Sequence, residues 1–243
     1  MSRPTLIVAL SGGKDSTALA LRLRELNPKG DYKFICTPTG DELPEMIAHW
    51  KALEKLLGPI EYLGDKTIYE LIDEMKMLPN WRARWCTRIL KIEAAQEYYE
   101  KHAPAVIYVG LRADEPGRTG NKLYDKNIVQ RFPLQSWGWG INEVKGYLSS
   151  RGVTVPRRTD CAIYFFQRID EWFYLWRDYP GYFKRIEDIE KKLGYTLLSP
   201  GKWKNWTHAL KDLRSVFEAG RVPIRAREPG DLIGVEKCRA CTL

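Results

Sequence analysis

Residues 5–26 join an apolar run, a pair of glycines and a cluster of short polar side chains in an order that few chain geometries satisfy. Thr5-Leu6-Ile7-Val8-Ala9-Leu10 is continuously apolar, the pattern of a parallel strand buried on both faces. Ser11-Gly12-Gly13-Lys14-Asp15-Ser16-Thr17 interrupts it, and Ser16 to Leu26 then reads as a helix. A strand that turns through glycines into a helix aims the unpaired N–H groups and positive dipole end of that helix at the turn, where an anion binds. Gly12 and Gly13 are expected at positive φ, so that successive N–H groups converge on one anion. Lys14 adds a mobile positive charge, and Ser11, Ser16 and Thr17 add hydroxyl donors. Asp15 would repel a bare phosphate and reads as a Mg²⁺ ligand or a helix cap. The spacing is not that of a Walker A loop, whose first glycine stands farther from its Gly-Lys pair. A tight strand-to-helix turn with a charged tip is the plain alternative, against which the number of such residues at one junction weighs.

Tyr32 to Thr37 is a second buried-strand candidate and Ala105 to Val109 a third, ending at Gly110. Between them Met46, Trp50, Leu53 and Leu57 recur at helical spacing, behind Asp41 as a candidate cap and Pro44 in the first turn. Ile68 to Met75 reads as a shorter helix, Thr87 as the cap of one running to about Lys101, and Ile141 to Ser150 as another. Strands alternating with helices predict an α/β parallel sheet with right-handed crossovers. Ligands then collect beyond the carboxyl ends of the strands, at the loops after Leu10, Thr37 and Val109. Residues 151–160 turn polar and basic, and Tyr164 to Tyr182 is dense in aromatics among Arg157, Arg158, Arg168 and Arg177. The expected division is a nucleotide-binding domain over residues 1–150 and a helical, aromatic-rich extension over 151–243. Aromatics beside arginines can stack the bases of a single strand. The spacing of Phe166, Phe173 and Trp176 equally suits a core packed on the sheet, the reading favoured here.

Lys and Arg number 39 against 31 Asp and Glu, a net of +8, which suits polyanionic partners such as nucleotides or nucleic acid, though it equally describes a solvated surface. No apolar run approaches the roughly 20 residues that span a bilayer. The first residues show no signal-peptide anatomy, so a cytoplasmic protein without a membrane partner is expected. Cysteine numbers five, Cys36, Cys86, Cys161, Cys238 and Cys241, an odd count that argues against a disulfide framework. Arg82, Arg84, Arg88 and Lys91 flank Cys86, and nearby cations lower a thiol's pKa, favouring the reactive thiolate over an inert buried thiol. Cys238-Arg239-Ala240-Cys241 can chelate metal, hold an iron–sulfur cluster or cycle through a disulfide. A four-cysteine site would recruit Cys86 and Cys161, whereas Cys36 lies within a strand and reads as core.

Ser11 to Ser16 resembles the PP-loop of the N-type ATP pyrophosphatases. Thr37-Pro38-Thr39-Gly40-Asp41-Glu42-Leu43-Pro44-Glu45, Arg84-Trp85-Cys86-Thr87-Arg88-Ile89-Leu90-Lys91-Ile92, Gly110-Leu111-Arg112-Ala113-Asp114-Glu115-Pro116-Gly117-Arg118, and Pro133-Leu134 with Trp137 and Val144 resemble the phosphoadenylyl-sulfate (PAPS) reductase branch of that superfamily. The Arg-Trp-Cys-Thr block is also similar to the DndC-like proteins of DNA phosphorothioation. The likeness runs in order from residue 5 to about 150. It implies an adenine nucleotide alpha-hydrolase-like (HUP) fold, ATP or PAPS/APS with Mg²⁺ as ligands, and nucleotide contacts from the loop, from Thr39 and Asp41 beside adenine and ribose, and from Arg112 and Arg118. It implies catalytic roles for Lys14, Asp15, Cys86 and Arg112. It supports a [4Fe–4S] cluster on Cys86, Cys161, Cys238 and Cys241, with zinc the lesser alternative. The chain departs from the reductases in lacking their Glu-Cys-Gly-Leu-His type ending and in keeping Lys14, which suits cleavage of ATP between the α and β phosphates.

Three readings follow. The first is an enzyme that splits ATP to AMP and pyrophosphate and adenylates a substrate, nucleic acid by preference, for sulfur insertion, fed by a sulfur donor such as a cysteine desulfurase or a thiol reductant. The second is a PAPS or APS reductase forming sulfite, and the third a non-catalytic nucleotide-binding module. Lys14 and the missing reductase ending favour the first.

Overall fold

A computed structural model describes residues 3–120, 125–199 and 205–224. Five strands, β1 (Thr5–Ala9), β2 (Tyr32–Cys36), β3 (Ile60–Tyr62), β4 (Ala105–Tyr108) and β5 (Ile128–Arg131), form one sheet in the order β3-β2-β1-β4-β5. Every neighbouring pair is parallel, and central β1 is in register with both its flanks, Val8 lying opposite Phe34 and Tyr108. Its apolar run exists because the strand is covered on both faces, and Ile7 and Val8 are fully buried. The chain winds outward from β1 through β2 to β3 and then returns to β4 on the other side. The strand order therefore reverses between β1 and β4, and in open α/β sheets the crevice beyond the carboxyl ends at such a point is where ligands bind. β3 and β5 escape a sequence reading because they are edge strands with polar positions at Glu61, Gln130 and Arg131, so no apolar run marks them.

Among the described residues the helices are α1 (Lys14–Leu26), α2 (Pro44–Leu57), α3 (Ile68–Met75), α4 (Trp85–Thr87), which continues through a π-helical stretch (Arg88–Glu93) into α5 (Ala94–Lys101), α6 (Pro133–Ser136), α7 (Ile141–Ser150), α8 (Ile169–Asp178), α9 (Pro180–Leu193) and α10 (Leu210–Glu218). Two expected caps are absent. Leu43, not Asp41, stands at the N-cap of α2, and Thr87 lies inside a helix that begins two residues earlier behind Arg84. The Asp41 side chain is drawn instead to Tyr69 and Ile163. Thr67 does cap α3, in a reciprocal pairing with Glu70.

Helices α1, α2 and α7 cover one face of the sheet, packing Leu19, Met46, Leu53 and Val144 against Val8 and Phe34. On the other face Tyr98 and Tyr99 of α5 meet Ile7, Ile35 and Ile107. A third cluster joins Leu43, Ile72 and Trp85 to Trp172, Phe183 and Leu213. This core runs across residue 150, so the change of composition there is not a break in packing. Phe173 is buried and Phe166 and Trp176 are packed against the same cluster, which makes the aromatic spacing a core signal.

Glu190 fixes the distal end of this helical region. It is 7% exposed, and its two carboxylate oxygens each accept a backbone N–H at 2.8 Å, from Leu197 and from Leu210 at the start of α10. Burial pushes its carboxyl up from 4.5 to about 7, outweighing those two hydrogen bonds, which act in the opposite sense. The folded chain thus holds a proton that the unfolded chain releases at ordinary carboxylate pH. The associated stability is complete below about pH 4.5 and is lost as pH rises through about 7. Urea unfolding across this window is expected to show stability falling with pH by at most about 1.4 kcal/mol per pH unit from this group. Glu190→Gln, which keeps one acceptor oxygen, should flatten that slope; an unchanged slope would assign the pH dependence to other groups.

Candidate functional site

The turn after β1 occupies the crevice. Gly12 sits at φ +81°, and a Cβ there would lie 2.2 Å from the Met46 Cε and 2.4 Å from the Trp50 Nε1. Gly13, by contrast, is extended at φ −68°, ψ 161°, so only one of the two glycines expected at positive φ takes it. Gly13 is the N-cap of α1, and Thr17 N–H donates the first bond of the helix ladder to its carbonyl at 2.9 Å. The N–H groups of the turn before it have no intrahelical acceptor. Ser11 and Ser16 hydroxyls pair at 3.0 Å, and Ser16 also donates to the Gly13 carbonyl at 3.1 Å. Thr17 is fully buried with its hydroxyl against His49 Nε2 at 3.4 Å, so it braces the helix from behind. Trp50 Nε1–H donates to the Ser11 carbonyl at 3.1 Å. Helix α2 thereby holds the turn through Trp50 and His49, whose imidazole burial pushes toward the neutral form. His49 gave no sequence signal beyond a helical position; its spacing to Trp50 and Leu53 places it on the inner face.

Behind the turn lies the loop after β4. A Cβ on Gly110 would meet the Asp15 carbonyl carbon and the Ser16 nitrogen at 3.0 Å each, so this glycine lets the loop touch the first turn of α1. Arg112, 2% exposed, donates to Asp15 Oδ2 at 3.0 Å and to Asp114 Oδ1 at 2.8 Å, with Glu115 at 3.6 Å. Arg118 pairs with Glu115 at 2.9 Å. Three carboxylates surround the Arg112 guanidinium, Asp15 and Glu115 buried and Asp114 partly exposed, and desolvating it without them would be prohibitive. Asp15 does not cap α1. Besides Arg112 it receives Lys14 Nζ at 3.3 Å, while its Oδ1 is buried without a hydrogen-bond partner among the described residues. An orphaned carboxylate oxygen beside an anion-binding turn is the donor a hard cation such as Mg²⁺ accepts.

The loop after β2 closes on itself. Thr39 N–H and hydroxyl both donate to Glu42 Oε1 at 2.7 Å, and Gly40 N–H donates to Glu42 Oε2 at 3.0 Å. Asp41 points inward at 1% exposure, accepting the Tyr69 hydroxyl and the Ile163 N–H, the latter at 2.7 Å, while its carbonyl accepts from Ala162 at 2.9 Å. Burial raises its carboxyl to about 6 against the pull of the Tyr69 bond. Asp41 is therefore neither a helix cap nor an exposed ribose acceptor; it anchors residues 161–163 to the end of the sheet.

That anchored segment connects two places. At one end Thr159 Oγ1 comes within 3.8 Å of the space a Gly13 Cβ would fill. At the other, Cys161 and Cys86 line one pocket with Thr39, Pro79, Thr87 and Lys91. Arg158 grips the segment from within, donating to the carbonyls of Cys161 at 2.6 Å and Ala162 at 3.1 Å. The lowered thiol pKa expected at Cys86 is reversed. Burial raises it, and the opposing influence comes from the Thr87 hydrogen bond, Lys91 and Arg84. Arg88 turns away to Glu93 at 2.6 Å and Arg82 lies over the Trp81 ring, so the flanking cations do not all reach the thiol. Burial raises Cys161 well above the usual thiol range as well. Cys36 is buried in β2, as core. Cys238 and Cys241 lie outside the described residues. Among the described residues no group of three or more His, Cys, Asp or Glu side chains is placed to hold a metal. Cys86 and Cys161 do fit half of a four-thiolate set, since a bound metal supplies the deprotonation that burial alone opposes. No helix among the described residues is long and apolar enough to cross a membrane.

Residues 5–158 match the phosphoadenosine phosphosulfate reductase domain. An uncharacterized protein of Methanocaldococcus jannaschii is 25% identical over 235 residues, covering 86% of this chain and 54% of that protein, so the chain spans about half the length of this curated relative. The crystal structure of phosphoadenylyl-sulfate reductase from Candida auris, a phosphate complex, shares the fold with a TM-score of 0.52 and 18% identity over 63% of this chain and 76% of that one. The U34-tRNA thiolase NcsA from Methanococcus maripaludis, with its [4Fe-4S] cluster, aligns at 18% identity over 100% of this chain and 82% of that one, with a TM-score of 0.46. With more than half of its length matched to the domain, and with the strand-to-helix turn seated where the strand order reverses, the chain belongs to the phosphoadenosine phosphosulfate reductase domain family, on the α/β parallel-sheet HUP fold of the PP-loop proteins.

Proposed function

We propose that this PP-loop protein cleaves ATP to AMP and pyrophosphate to adenylate an acceptor for sulfur insertion, with nucleic acid as the acceptor class. The observation that carries the reading is the short path from phosphate turn to thiols. Thr159 abuts Gly13, and Cys161, two residues on, shares a pocket with Cys86. An activated acceptor at the turn would therefore lie beside sulfur-bearing side chains. In the first step an acceptor oxygen attacks the α-phosphorus of ATP. A new P–O bond forms, the bond to the bridging oxygen breaks, and pyrophosphate leaves with the electron pair. Lys14 and the N–H groups of the first turn of α1 would take up the charge developing on that leaving group. Asp15 would hold Mg²⁺ through Oδ1, with Arg112 fixing the carboxylate's other oxygen. In the second step persulfide sulfur from a donor such as a cysteine desulfurase, reduced to sulfide by two thiols of a thiol reductant that leave as a disulfide, attacks the activated carbon, and AMP departs with the C–O bonding pair. Cys86 and Cys161, with Cys238 and Cys241, are the residues proposed to hold a [4Fe–4S] cluster, which would supply a site for the incoming sulfur.

The net charge of +8 supports a polyanionic acceptor. A reductase reading is supported by the family alone, and Lys14 weighs against it because sulfonucleotide reduction cleaves no pyrophosphate. Sulfite release from PAPS with a thiol reductant would establish that alternative instead.

Lys14→Ala is expected to lower AMP and pyrophosphate formation by about 10²-fold or more, the cost of removing one preorganised charge-stabilising donor, with the unfolding midpoint unchanged. Undiminished turnover would remove Lys14 from the reaction. Arg112→Ala should behave in the opposite way in unfolding titrations, losing about 3–5 kcal/mol because it removes the cation shared by buried Asp15 and Glu115 and leaves each with a single cationic partner, Lys14 and Arg118. A loss within ordinary surface values would show that the guanidinium is dispensable to the joint. Anaerobically purified wild type is expected to be brown and to contain iron and sulfide, and Cys161→Ser to be depleted of both; iron-free wild type would rule out the cluster.

A further inference from the structure

The thiol pocket has a rim that the reaction scheme above leaves unused. Pro79 and Cys86 both line it, and the chain between them rises into a short turn with Trp81 near its tip. The turn is held at both stems. Leu78 is buried and its N–H donates to the Tyr195 hydroxyl at 2.7 Å, and Trp85 is buried in the helical core. Inside the turn, Asn80 Oδ1 accepts from the backbone N–H of Arg82 at 2.9 Å and of Ala83 at 2.8 Å. Trp81 is nonetheless 56% exposed, and among the described tryptophans it is the exposed one. The Arg82 guanidinium sits over its indole, 4.8 Å from the ring centroid.

A single exposed apolar side chain is ordinary on a protein surface. Here the indole stands on a turn pinned at both ends, is backed by a guanidinium, and lies between two residues, Pro79 and Cys86, that line the thiol pocket. An ordered aromatic presents its ring to a flat partner at little entropic cost, and every nucleobase has a face to stack on it. A guanidinium beside the ring adds a planar cation for the phosphate or the base. We propose that Trp81 and Arg82 form a stacking platform for a base of a single-stranded nucleic-acid acceptor, setting the neighbouring nucleotide over the pocket of Cys86 and Cys161. This inference rests on the nucleic-acid reading of the acceptor and adds where and how that acceptor is gripped. Stacking does not distinguish one base from another, so the platform contributes affinity and placement and leaves sequence choice to other contacts.

The test is fluorescence anisotropy of the full chain with fluorescein-labelled single-stranded RNA and DNA of mixed sequence, titrated over a range of salt. Wild type should bind at least one of the two. Trp81→Ala should weaken that binding about tenfold, the scale of one lost base–aromatic stack. Its salt dependence should keep the wild-type slope, because no phosphate contact is removed. Trp81→Phe retains a stacking face and should bind nearly as wild type does, and the thermal midpoints of both variants should match wild type. Equal affinity of wild type and Trp81→Ala would overturn the platform and leave the nucleic-acid reading in place. Loss in Trp81→Phe equal to that in Trp81→Ala would overturn stacking as the cause. Wild type that binds neither strand would defeat the nucleic-acid reading itself, and the platform with it.

Discussion

The ion pair between Arg112 and Asp15 sets the geometry on which the rest of the site depends. It joins the loop after β4 to the first turn of α1, across the point where the strand order reverses. Neither partner can sit there alone, since each is nearly out of water and an unpaired buried charge is costly. The close approach is permitted by Gly110, where any side chain would strike the backbone of Asp15 and Ser16. Once the joint forms, the helix N-terminus is held facing the crevice, and the phosphate turn acquires one orientation.

A second layer of constraint comes from the far end of the chain. Asp41 and Arg158 take residues 161–163 from opposite sides, the carboxylate receiving the Ile163 N–H while the guanidinium donates to the Cys161 and Ala162 carbonyls. These are charge-assisted bonds in a sparsely solvated setting, the kind that fix position most firmly. They draw the segment preceding α8 against the sheet and bring Cys161 to Cys86. The helical region that follows is bound to the same frame by the core around Trp172.

Where a continuous apolar run or a helical period marks an element, the structure and the sequence agree closely. The helix over Ile68–Met75 and that over Ile141–Ser150 have the expected limits, and the strands at Thr5, Tyr32 and Ala105 begin where their apolar runs begin. The phosphate turn was equally legible, because a glycine turn between a buried strand and a helix is a local arrangement. The two edge strands were not, since an edge position does not require a continuous apolar run. The polar site residues divide in the same way. Ser16 and Lys14 make only local contacts within the turn, while Arg112, Asp41 and Thr17 turn inward to partners 97, 122 and 32 residues away. A charged or hydroxylated side chain in a matched motif carries no local mark of whether it faces ligand or core.

By itself, then, the sequence determined the parallel α/β sheet, the glycine turn between β1 and α1 and the family to which the chain belongs, because periodicity and glycine placement act through the nearest neighbours along the chain. Only the tertiary structure decided which charges were neutralised in pairs, which thiols share a pocket, and that burial rather than nearby cations governs them. Those outcomes depend on desolvation and on contacts across more than a hundred residues. Neither quantity is a property of any short stretch of sequence.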